Sequence, residues 1–179
     1  MAESFSNKVG RAIGVVTTST GASVGITTNL ITGISTAGVS INDLVDTGNY
    51  IAGTRVSTIG AGEVTVDRDS TNTASATSQI VKFMQPTVLY TSPSNVKTIL
   101  IGGTFANNTN GQVGLTVELL DNSTGITVAL ASKIPVPAGS SFVISDTGKT
   151  LLESLDAIRV YCDTSNAIDA NISILTGVN

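Results

Sequence analysis

The chain has 179 residues, a formal net charge of −4, no histidine, no tryptophan and one cysteine. Without histidine, neither a Ser-His-Asp nor a Cys-His arrangement can be assembled within it, and one cysteine excludes both an intramolecular disulfide and a cysteine-cluster metal site. Charged residues are only 12% and mean hydropathy is positive, which excludes disorder, while the nine scattered Lys and Arg leave no electrostatic footprint for nucleic acid.

Residues 1–12 are polar, show no period and carry Phe5, Lys8 and Arg11. They read as an N-terminal arm, too poor in apolar groups to fold against its own domain and suited to a partner contact through one aromatic anchor and two cations. The start MAESFSNKVGRAIGVV has no basic region leading into a continuous apolar core, and no run reaches membrane-spanning length, so cytosolic synthesis without a membrane partner is expected. From Ala12 to Ile34 come short β-branched pieces, GVVTT, SVGITT and LITGI. These favour extended structure but are too weakly apolar for a core of their own, which predicts burial between subunits of a homo-oligomer, with a trimer as the expected closure.

Residues 33–69 alternate turn and strand: Val39 and Ile41, a turn at Asn42-Asp43, another at Ala52-Gly53, then Thr54 to Ile59 and a Gly60-Ala61-Gly62 turn leading to Val64 and Val66. This predicts a small β module over 13–79. The stretch RDSTNTASATSQ, 68–79, is polar and low in complexity and marks the expected linker. The remainder, 80–179, predicts an antiparallel β-sandwich, jelly-roll-like. A strand ends at Tyr90, a turn spans Ser92–Asn95, a long strand starts at Val96, polar residues turn at Asn107–Gly111, and a hairpin turns at Asp121–Gly125. In IPVPAGSSFVISDTGKTLLE, Pro135 to Gly139 and Asp146-Thr147-Gly148 read as turns around a strand at Ser140–Ile144. Val113, Leu115, Val117 and Leu119 are two apart and predict one inward face. Cys162 falls on the apolar side of Ile158, Val160 and Cys162 and reads as an inert buried thiol.

Two segments carry a resemblance. GVSINDLV, YIAGTRVSTIG and GEVTVDRDSTNTASA resemble, over about forty residues and most specifically at Ile51 to Val56, a small module common in virion proteins of tailed bacteriophages. TVLYTSPSNVKTILIGGTFANNT, PVPAGSSFVI and GKTLLESLDAIRVYCDTSNAIDANISIL are similar, over about ninety residues, to a pattern recurrent in structural proteins of cyanophages and related marine phages. The first departs from the family's corner pattern where Ala52 follows Ile51 directly, and the second at Ser154 and Leu155 before Asp156. The resemblance implies a non-enzymatic virion component made and assembled in a bacterial cytoplasm. Its partners would be copies of itself and the major capsid protein or other virion proteins.

Motifs that spell chemistry give way to turn chemistry. Asp46-Thr47-Gly48 and Asp146-Thr147-Gly148 match the aspartic-protease triplet, but each falls at an expected turn and is followed by Asn49 or Lys149 rather than Ser or Thr. Ser94 to Lys97 matches Ser-x-x-Lys but spans a turn and a strand start instead of a helix. Asp67 to Asn72 opens like a calcium loop without its glycine and bidentate glutamate, and Gly60-Ala61-Gly62 precedes no helix. No catalytic residue, metal or cofactor is expected. The sequence reading is a capsid decoration (cement) protein, with a neck, tail or fibre component and a carbohydrate-binding or adhesion module as alternatives.

Overall fold

Branched and small residues interrupted every few positions by Gly, Asn or Pro leave no stretch for a helix, and the chain forms strands throughout. The computed structural model describes residues 3–178, with residues 145–148 described by their backbone alone. Fourteen strands lie among the described residues: β1 Ser4–Ile13, β2 Val15–Val24, β3 Leu30–Thr32, β4 Leu44–Asp46, β5 Val56–Gly60, β6 Glu63–Val66, β7 Ala76–Gln85, β8 Thr87–Thr91, β9 Lys97–Asn107, β10 Val113–Asp121, β11 Ile126–Val136, β12 Ser141–Leu152, β13 Ala157–Cys162 and β14 Ile168–Val178. They form two compact units, one containing the residues up to Gly14 and from Thr87 onward, the other Val15–Pro86.

In the first unit eight strands make two four-stranded sheets, in the orders β1-β14-β9-β12 and β11-β10-β13-β8. The unit's first strand pairs with its last, β1 with β14, and the pairing continues inward through β8 with β13, β9 with β12 and β10 with β11, all antiparallel. The unit is thus one two-stranded ribbon rolled upon itself, and the β9–β14 and β10–β13 ladders close the roll into a sandwich. That is the jelly-roll architecture. Leu100, Phe105, Ile168, Ile172 and Ile174 of one sheet and Leu115, Val117, Ile158, Val160 and Cys162 of the other fill the space between them. Burial of this kind contributes roughly 1.5–3 kcal/mol per large aliphatic side chain. Leu119 is partly buried against the same cluster.

The second unit is a six-stranded sheet, β4-β7-β2-β3-β6-β5, with its own core of Ala22, Val24, Ile31, Ile34, Val39, Val45, Tyr50, Val56, Val64, Val66, Val81 and Phe83. β2 and β3, expected to need another subunit, bury Ala22, Val24 and Ile31 here within their own chain.

Four sequence expectations are corrected. Residues 4–13 are not an arm but an edge strand, registered on β14 from Ser4↔Thr176 to Gly10↔Ala170. Over Ser4–Gly10 backbone pairing holds the strand, not apolar burial: the core-facing alternates there are Ser6, Lys8 and Gly10, and only Ile13 at the strand's end enters the core, so no amphipathic pattern announces it. The small domain is inserted between the jelly roll's first two strands instead of preceding the sandwich, and it ends at Pro86, because β7 continues beyond the polar stretch to pair with β2. The loop before β7, expected to link two domains, is tied into the small domain, where buried Ser70 donates to the Gly25 carbonyl (2.7 Å) and Thr71 N–H to the Asn49 carbonyl (2.9 Å). The predicted break at 146–148 lies inside β12, whose register on β9 jumps from Ser145↔Gly102 to Thr150↔Leu100. The backbone bulges there without ending the strand.

Candidate interaction surface

Alternation along β1 sends Phe5, Asn7, Val9 and Arg11 to the outer face of the sheet. Phe5 is 74% and Val9 76% exposed, and Arg11 is exposed as well. Lys8 points the other way, where its ammonium lies 5.8 Å from the centroid of the Tyr90 ring. At that range a cation–π contact contributes roughly 0.5–1 kcal/mol, and it pins the edge strand beside β8. Of the three residues singled out for partner contact, Phe5 and Arg11 therefore share the outer face, whereas Lys8 belongs to the domain's own packing. Val9 completes the outward set. Its alternation with Phe5 was visible in the sequence but had no meaning while residues 1–12 were read as an arm.

The register extends this face across the sheet. Phe5 lies beside Leu175, Leu175 beside Ile99 and Ile99 beside Leu151, an apolar row across all four strands. Two rungs along, Val9, Asn171, Thr104 and Val143 make a second row. Leu151 and Val143 are 45% and 55% exposed. Between the rows, the Ser173 hydroxyl donates to Asn7 Oδ1 at 2.9 Å.

At one end of the jelly roll, an open cleft of about 640 Å³ is lined by residues 106–110 and 138–141. Its lining is neutral and contains no aromatic side chain. Beneath it the buried Asn107 amide donates to the carbonyls of Gly111 (2.8 Å), Val136 (2.9 Å) and Pro137 (3.1 Å), while its Oδ1 accepts from the Thr109 N–H and hydroxyl, both at 2.8 Å.

The chemistry-like motifs are structural where described. Asp46 pairs in register with Lys82, and buried Asn49 donates to Thr47 Oγ1 at 2.8 Å. The side chains of Asp146 and Thr147 lie outside the described residues. Asn95, inside the Ser-x-x-Lys match, adopts φ 59° in the turn before β9 and donates its N–H to Ser154 Oγ. Asp67 Oδ1 accepts the Arg55 N–H at 2.8 Å, and the Gly60 to Gly62 segment turns the β5–β6 hairpin with Gly62 at φ 75°. Among the described residues, no group of three His, Cys, Asp or Glu is placed to hold a metal ion. Cys162 is buried in the jelly-roll core.

Two titratable groups in the small domain are displaced. Burial pushes the Asp43 carboxyl above the usual range, partly offset by the Ser40 N–H at 2.8 Å. Burial, reinforced by the charge of Asp69, raises the Tyr50 phenol to about 12. Tyr50 donates to the Thr28 carbonyl at 3.1 Å, a bond that holds loop to loop.

Strand order and core together define an all-β protein, a jelly roll with a β domain inserted after its first strand. No family model matches the chain, and no curated protein does. Among solved structures, it is similar to a chain of the T13 particle of infectious bursal disease virus, at 13% identity and TM-score 0.36 over 93% of this chain and 31% of that one. It is also similar to the VP2 subviral particle of the same virus, at 9% identity and TM-score 0.35 over 98% and 72%. The isomalto-dextranase of Arthrobacter globiformis T6, complexed with panose, aligns at 10% identity and TM-score 0.27 over 97% and 34%. This chain thus spans about a third of the first of these proteins. The likeness carries no argument at these scores, and the fold stands on the strand order.

Proposed function

We propose that the chain is a non-enzymatic structural component of a tailed-phage virion, a capsid decoration protein that assembles with itself and with the shell protein. The carrying observation is the jelly roll itself, an architecture that recurs in capsid and lectin domains, here with its interior filled by Leu100, Phe105, Leu115, Val117, Ile158 and Ile172 where a ligand would need space. The phage resemblance of residues 87–175 and the sparse charge support the same reading. Exposed apolar side chains on Phe5, Val9, Val143 and Leu151 give it a surface for assembly. A neck, tail or fibre location uses the same modules. Copy number per particle, measured by quantitative mass spectrometry, separates them: a number comparable with the shell protein's supports decoration, and a few copies per particle refutes it.

A carbohydrate-binding module is the second reading, favoured by the neutral cleft at residues 106–110 and 138–141. Against it, Tyr50, Tyr90 and Tyr161 are all buried, so none offers a ring face for a sugar to stack on. Saturable binding on a glycan array would favour this second reading over the first.

A further inference from the structure

Along β1 the outward side chains run Phe5, Asn7, Val9 and Arg11, and exposed Glu3 stands just before the strand. The series is self-complementary about Asn7, with apolar residues equidistant on either side and opposite charges at the ends. A two-fold axis through the Asn7 row, perpendicular to the strands, places Glu3 of one copy over Arg11 of the other, twice. It also lays the row of Phe5, Leu175, Ile99 and Leu151 over the row of Val9, Asn171, Thr104 and Val143. Asp169, the carboxylate nearest Arg11 along β14, has one oxygen occupied by the Ala12 N–H at 2.8 Å.

We propose that this outer face is a two-fold contact between two copies of the chain. Four strands ~4.8 Å apart and roughly ten residues long project about 600 Å², and side-chain relief brings that toward the ~800 Å² per partner of a standard interface. Face-to-face packing of sheets is also favoured over edge pairing here, because Lys8 turns inward from β1, a device that discourages strand addition. A two-fold contact joins copies in pairs, and the trimer expected from the sequence would need a second surface. The inference rests on the virion reading only in taking this face as an assembly surface.

Sedimentation velocity on the purified full chain tests it without particles, so its failure leaves the copy-number test of the virion reading intact. The expected result is a pair, or a multiple of pairs, of the 18.2 kDa chain. Arg11→Glu, which turns both end contacts repulsive, should raise the dissociation constant about tenfold, and Glu3→Arg alone should do the same. The combined Glu3→Arg/Arg11→Glu variant should restore association. Phe5→Lys and Val143→Lys, on opposite edge strands, should each weaken it, with circular dichroism checking the fold. A monomer at the highest soluble concentration, an oligomer indifferent to these substitutions, or a charge swap that fails to restore association would overturn the proposal.

Discussion

Asn107→Asp replaces one buried side chain by another of the same shape and inverts its chemistry. The Asn107 amide nitrogen faces three carbonyls, of Gly111, Val136 and Pro137, at 2.8–3.1 Å. A carboxylate there loses the donated bonds, worth ~1 kcal/mol each, and holds a buried charge against three carbonyls, of which those of Gly111 and Pro137 keep donors in the Thr109 and Ser140 hydroxyls. The expected loss at neutral pH is therefore about 3–5 kcal/mol by urea unfolding. Its pH dependence is diagnostic. Burial among carbonyls raises the variant carboxyl in the folded state above its unfolded value of about 3.9. A raised acid is stabilising below the unfolded pKa and loses that contribution as pH rises through the folded one. The gap between variant and wild type should consequently narrow on acidification, as the protonated acid regains one donor. A variant within about 1 kcal/mol of wild type at neutral pH, or a gap that widens in acid, would refute this account of Asn107.

Val117→Asp buries an unpaired charge between the jelly-roll sheets and should cost several kcal/mol, of order 4, whereas Thr116→Val, which removes only the acceptor for the Lys133 N–H (3.0 Å), should cost ~1 kcal/mol in the same assay. Equal losses would show the register to be wrong. Deleting residues 2–11 strips the jelly roll's edge strand from β14 and should lower its melting temperature; an unchanged melt would mean that β1 contributes nothing. Tyr50, raised to about 12 from 10.0, holds its proton in the folded state where the unfolded chain has lost it. Its contribution is complete below pH 10 and lost between 10 and 12, so Tyr50→Phe should flatten alkaline unfolding over that window, and identical profiles would contradict the shift.

The strands from β8 to β11 were legible because each is bounded by a turn whose residues announce it, and because Val113, Leu115 and Val117 alternate with the pleat and do face the core. β1 was not legible. Before Ile13 its core-facing positions are Ser, Lys and Gly, and its partner lies at the far end of the chain, so neither periodicity nor a nearby turn could signal the pairing. The polar loop before β7 mimicked a linker because its hydrogen bonds, such as Ser70 to Gly25, join residues distant in sequence. Of the candidate surface, Phe5 and Arg11 were singled out by composition, whereas the apolar row through Leu175, Ile99 and Leu151 exists only in the register between strands.

Rolling a ribbon whose first strand pairs with its last sets an order of events during synthesis. The Ser4 carbonyl and Thr176 hydroxyl that meet across β1 and β14 are 172 positions apart, so β1 emerges from the ribosome long before its partner exists. The inserted domain, continuous from Val15 to Pro86, has its whole core within reach soon after β7 is made and can fold while β1 waits. The jelly roll closes last, at the slow pace of pairings remote in sequence. Until β14 arrives, the apolar inner faces of β9, β10 and β13 stand open, and that interval, more than the stability of the finished fold, is when the nascent chain is exposed to aggregation.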